Sequence, residues 1–178
     1  PNFANKPLAE AAYANIKLAG MPKWTADDQA FAKAVQQANG LKIQPLPEKV
    51  GELSTPQNRG GDVNASSDDI GDVMWNMPTI TVRYPSNVPN ATMHNVLAAM
   101  AMTTPIAHKG AVQGAKAVAM TVLDLMTTPQ LIADAKAYFN NEQLKTAKYA
   151  PVIVASDKPA IQKNTEIMQQ MRPAMEKF

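Results

Sequence analysis

The chain has 178 residues, with 17 basic and 15 acidic side chains and a formal net charge of +2. That near balance, with no basic run, argues against nucleic acid and against an anionic membrane surface as partners. No cysteine occurs, which excludes disulfides, thiolate metal sites and cysteine nucleophiles.

The length is room for one domain with a proper core. The opening Pro1-Asn2-Phe3-Ala4-Asn5-Lys6 does not read as a signal peptide. Cytoplasm and periplasm both fit. Residues 5–20 are predicted as a helix, because Leu8, Ala11, Ala12, Ile16 and Ala19 recur at helical spacing. Gly20 and Pro22 stop it. Thr25 caps a second helix with Asp27 and Asp28 in its first turn, and Phe31, Ala34, Val35 and Ala38 supply an apolar stripe up to Asn39-Gly40. Residues 41–66, punctuated by Pro45, Pro47, Gly51, Pro56, Gly60 and Gly61, read as a long loop.

An acidic stretch with Asp68, Asp69 and Asp72 then runs into the apolar Val73-Met74-Trp75. Pro78 to Tyr84 is predicted as a strand, rich in Thr, Ile and Val. Val96 to Met102 is apolar and fits a helix or a buried strand. Ile106 to Met126 is apolar on nearly all sides, which predicts a well-buried helix. Thr128-Pro129 restarts a helix with Leu131, Ala135, Tyr138 and Phe139 on its inner face. Pro151 to Pro159 is extended, and Ile161 to Lys177 is a last helix that spaces Ile167, Met171 and Met175 for packing. Met100, Met102, Met120 and Met126 lie within apolar stripes and read as core filling.

Three places carry candidate chemistry. Asp68, Asp69 and Asp72 could orient a substrate or a metal ligand, or form an acidic turn bonded to its own backbone. His94 follows a Pro/Asn loop, where an imidazole binds metal or polarises a carbonyl, or is an ordinary histidine. His108 and Lys109 open the long helix, whose exposed backbone N–H groups favour a charged substrate group, or simply a first-turn hydrogen bond. No phosphate loop, His-Glu-x-x-His or Gly-x-Ser-x-Gly occurs, and only two histidines are present.

The order of these segments resembles the M20 peptidase family, and within it the B-subunit-like branch of p-aminobenzoyl-glutamate hydrolases. The resemblance rests on Ser66-Ser67-Asp68-Asp69-Ile70-Gly71-Asp72-Val73-Met74-Trp75, the loop ending at His94, Ile106-Ala107-His108-Lys109-Gly110 and Ala119-Met120-Thr121-Val122-Leu123-Asp124-Leu125. Gly20-Met21-Pro22-Lys23-Trp24-Thr25 and the tail from Tyr149 to Pro159 agree with it. The branch usually places a small hydroxyl residue after the late histidine, whereas this chain reads Met93-His94-Asn95-Val96.

That resemblance implies an α/β fold. Residues 1–178 would be the C-terminal portion of a zinc-peptidase-like catalytic domain, helix-rich with a few strands, lacking the N-terminal half and the dimerisation domain. It implies a metal-dependent amidohydrolase or carboxypeptidase of bacterial type, cleaving an amide bond next to an amino-acid carboxylate, as in an aminoacyl- or aroyl-glutamate. Two divalent ions, Zn or else Mn, would serve each complete site, with His94 as a metal ligand. His108, Lys109, Asp69 and Asp72 would bind substrate. The general-base Glu would lie in the missing half, leaving this chain alone inactive. Its partners would be the rest of the polypeptide or a second subunit, in a homodimer of the complete protein. The rival expectation is a non-catalytic binding or assembly fragment that packs on a partner chain.

Overall fold

A computed structural model of the chain describes residues 3–53, 69–145, 148–151, 153–159 and 164–177. Asp68 and the stretch from residue 54 onward in the Pro/Gly-rich loop lie outside the described residues. The elements are helical: α1 (Lys6–Ala19), α2 (Ala26–Ala38), α3 (Ile70–Asn76), α4 (Val96–Ala101), α5 (Pro105–Thr127), α6 (Pro129–Tyr138) and α7 (Thr165–Met175). One π-helical turn, Phe139–Gln143, continues α6.

Local chemistry explains the helix boundaries. The Asn5 side chain accepts from the Leu8 N–H at 3.4 Å and caps α1, and Gly20 ends it at φ +71, a conformation that favours glycine. Thr25 and Asp28 form a reciprocal capping box at the start of α2. Thr128 stands at the N-cap position of α6 as expected, without a side-chain capping bond.

The core joins Ala32 of α2, Leu46, Val88, Ala101 of α4 and Ile106 of α5, with Trp24, Val35 and Ala91 packed against it. Leu46 reaches that core because two glutamines of α2 hold its loop. Gln29 bonds both the N–H and the carbonyl of Leu46, at 2.8 and 3.1 Å. Gln36, fully buried, bonds Gln44 in the same two-way manner and also reaches the Pro89 carbonyl at 2.9 Å. Side-chain amides thus replace the neighbouring strand that would otherwise satisfy this extended backbone.

A second layer forms where α1 packs on α5 and α6. The extended segment 84–86 crosses α5 at Gly110, where a methyl group would run into the Pro85 carbonyl oxygen. One turn later Gly114 faces the Tyr84 ring. The glycine of the His-Lys-Gly element therefore serves a close crossing of chain on helix.

Several expectations change. Residues 78–84 are extended but form no ladder among the described residues, and Thr79 accepts a single backbone bond from Asn5 at 3.0 Å. A strand needs a neighbour to be a strand, and the described chain supplies none. Asp72 and the apolar Val73-Met74-Trp75 lie in a helix, residues 70–76, and not in an acidic turn. The long helix α5 is not buried all round: Ile106, Ala107, Gly110, Ala117 and Thr121 are covered, while Val112, Val118, Val122, Leu123 and Met126 are exposed. Met100, Met102 and Met126 are exposed too, so they do not fill this core, which buries Met74. Ile167, Met171 and Met175 of α7 are likewise exposed. On α2 the buried row is Asp28, Ala32 and Gln36, one face round from Phe31.

Candidate functional site

His94 lies in the turn before α4, exposed, at φ +60. Few non-glycine residues adopt this left-handed backbone, and it costs of order 1–3 kcal/mol where surroundings impose it. Asn95 follows as the N-cap of α4, its side chain accepting from the Ala98 N–H at 3.0 Å. Asn87 donates to the Ala98 carbonyl at 3.2 Å and ties the preceding loop to the same helix. His94 thereby borders an open depression of about 530 Å3, together with Asn87, Met93, Asn95 and Met102.

His108 and Lys109 sit elsewhere, in a second cleft of about 630 Å3 between residues 19–23 and the first turns of α5. The two depressions share no lining residue. Lys109 is not free in its cleft, because its ammonium bonds the Asp28 carboxylate. Asp28 is nearly buried, and its carboxylate also accepts from the Thr25 N–H at 2.7 Å. The Lys109 hydrogen bond above all, with the Thr25 bonds, holds the Asp28 carboxyl below the usual carboxylate range against the opposing effect of burial. Gln113 ties the cleft wall down by donating to the carbonyls of Ala19 and Gly20. Lys23 and Lys116 line the same cleft.

The acidic pair forms a third place. Asp69 stands exposed at the N-cap position of α3 without a capping hydrogen bond, and Asp72 follows in the first turn. The Asp72 carboxylate lies near the Tyr149 hydroxyl, whose pKa is pushed up by burial first and by that carboxylate second. The expected site residues are therefore distributed over three surfaces, with neither acid lining the cleft of His108. Among the described residues no group of three or more His, Asp or Glu side chains is placed to hold a metal ion. His94 offers one exposed imidazole, the chemistry of a single metal donor, and further donors would have to come from outside its depression.

Sequence reasoning missed Lys23, Lys116 and Asp28. The helical spacing of His108, Val112 and Lys116 places them on one face, and this was available as a signal. The pairing of Asp28 with Lys109 spans 81 residues and leaves no local trace.

Comparison with curated proteins gives a relative in Escherichia coli (strain K12), the B subunit of p-aminobenzoyl-glutamate hydrolase. It is 27% identical over 151 residues, which cover 73% of this chain and 31% of the relative. The chain is thus similar to part of a hydrolase and spans about a third of that relative's length. No family model matches the chain, and no solved structure matches it. No helix among the described residues is long and apolar enough to cross a membrane.

Proposed function

We propose that this chain is the C-terminal part of a metal-dependent amidohydrolase of the M20 type, acting on an amide bond next to an amino-acid carboxylate. The observation that carries the reading is the similarity to the B subunit of p-aminobenzoyl-glutamate hydrolase over most of the chain. The left-handed backbone at His94 supports it, because strained positions collect at functional sites. In this reading the unpaired extended segment 78–84 joins a sheet supplied by the rest of an α/β catalytic domain. His94 lends one imidazole nitrogen to a site for two divalent ions, Zn or Mn, whose other ligands lie outside this chain. Such ions make a bound water acidic and polarise the scissile carbonyl. The surfaces of His108, Lys109, Asp69 and Asp72 belong to the substrate side, and the complete protein is a homodimer or pairs with a second subunit.

The test is made on protein purified from its native source. Intact mass and metal content are measured on one sample, followed by hydrolysis of p-aminobenzoyl-glutamate with added Zn2+ or Mn2+. The expected result is a mass above 19.2 kDa. Metal content should be roughly two divalent ions per chain, with activity lost in His94→Asn, a residue that tolerates the same backbone. A mass of 19.2 kDa with no metal and no hydrolysis overturns the enzyme reading. It would favour the second reading, an assembly fragment, to which the exposed Val118, Val122, Leu123 and Met126 of α5 point.

A further inference from the structure

We propose that the cleft between residues 19–23 and α5 binds an anion with an apolar body, an aryl or alkyl carboxylate, through Lys23, Lys116 and His108. These three side chains line one cleft, and none has a hydrogen bond or ion pair to another described residue. His108, Val112 and Lys116 stand four residues apart on α5, so the two polar groups flank an apolar one on a single face. Lys23 approaches from the opposite wall, beside Met21 and Pro22.

No acid lines this cleft, and the one that pairs with its Lys109 does not compete for the other cations. Asp28 is only 6% exposed and is held by Lys109, so the pair cancels internally and the remaining charge is positive. Lys109 is accordingly a positioning residue that anchors α5 to α2. The second wall is fixed as well, since Gln113 of α5 bonds the carbonyls of Ala19 and Gly20 at the turn that carries Lys23. A carboxylate between two ammonium groups gains charge-assisted hydrogen bonds, and Met21 and Val112 offer its body an apolar contact that water does not. An inorganic anion would use only the first of these.

That the ligand is the carboxylate end of a hydrolysed amide rests on the function proposed above; the binding itself does not, and it is measured without metal or turnover. Benzoate is titrated into the full chain while the His108 ring signals are followed by NMR, with calorimetry for the affinity. Benzyl alcohol, inorganic phosphate and added salt are the comparisons. The expected result is a saturable shift of the His108 signals with benzoate, weakened by salt and not produced by benzyl alcohol. Lys23→Ala and Lys116→Ala should each weaken binding by about tenfold, the loss of one charge-assisted hydrogen bond. Lys33→Ala, an exposed lysine outside the cleft, should leave binding unchanged. No saturable shift, equal affinity for phosphate, or an equal loss in Lys33→Ala would each overturn the site. Benzoate binding in a chain that never hydrolyses an amide would leave the site standing and sink only its link to the hydrolase.

Discussion

A single carboxylate does several jobs in this fold. Asp28 closes the capping box of α2, accepts the Lys109 ammonium and is nearly buried. Because its pKa is lowered on folding, the stability it contributes is present above the unfolded carboxylate value, ~3.9. That contribution is lost as pH falls through the lower folded value. Urea midpoints measured from pH 6 downward should therefore drop below about pH 4 in the parent and follow a flatter course in Asp28→Asn. At neutral pH the variant should lose roughly 1–3 kcal/mol, since the Lys109 pairing and the cap weaken together. Equal acid limbs in both proteins would show that Asp28 is not the titrating link. Of this arrangement the sequence showed only the Thr25 cap and the acidic first turn; the partner 81 residues away depends on the first turns of α5 and α2 meeting in the fold.

Among the elements, the start of α1 is fastened to the end of α6 by two buried amides. Asn5 Nδ2 donates to the Ala135 carbonyl and to Gln143 Oε1, both at 2.9 Å, while Gln143 Nε2 donates to the Phe3 carbonyl at 2.8 Å. The π-helical turn Phe139–Gln143 is what brings Gln143 inward. Asn5→Ala removes a helix cap and leaves the buried Gln143 Oε1 without its donor. It should cost about 2–4 kcal/mol by adding the two effects. The loss would be read as a lower thermal midpoint with early exchange of the Leu8 amide. A variant as stable as the parent would mean the N-terminal clamp contributes nothing. Periodicity predicted α1 and α6 and the inner face of Ala135 and Phe139; a wide turn closed by a polar pair has no hydrophobic period to betray it.

At the scale of the molecule, the described chain leaves much apolar surface uncovered. Val112, Val118, Val122, Leu123 and Met126 stand out along α5, and Met93, Val96, Met100 and Met102 surround His94 and α4. Patches of this kind mark surfaces made for contact. The isolated chain should bind a hydrophobic dye and sediment with a concentration-dependent mass. Val122→Lys with Met126→Lys, at exposed positions, should reduce both effects without changing the circular dichroism. A monodisperse, cooperatively folding parent that binds no dye would show this surface to be self-sufficient.

The sequence by itself determined where α1, α2, α5 and α6 lie, because periodicity, capping residues and proline positions act within a few residues of one another. It also pointed to His94, His108 and Lys109 as places of interest. Tertiary structure decided what those residues face. It gave Lys109 to Asp28, placed His108 with Lys23 and Lys116, put His94 on a separate surface in a left-handed turn, and left Asp72 with Tyr149. It also decided that α5 buries one face only, since an apolar composition states what a helix can bury and not what is there to bury it. Helices form from near neighbours, whereas a site and a sheet need groups that are far apart in the chain to meet, and that meeting is set by packing.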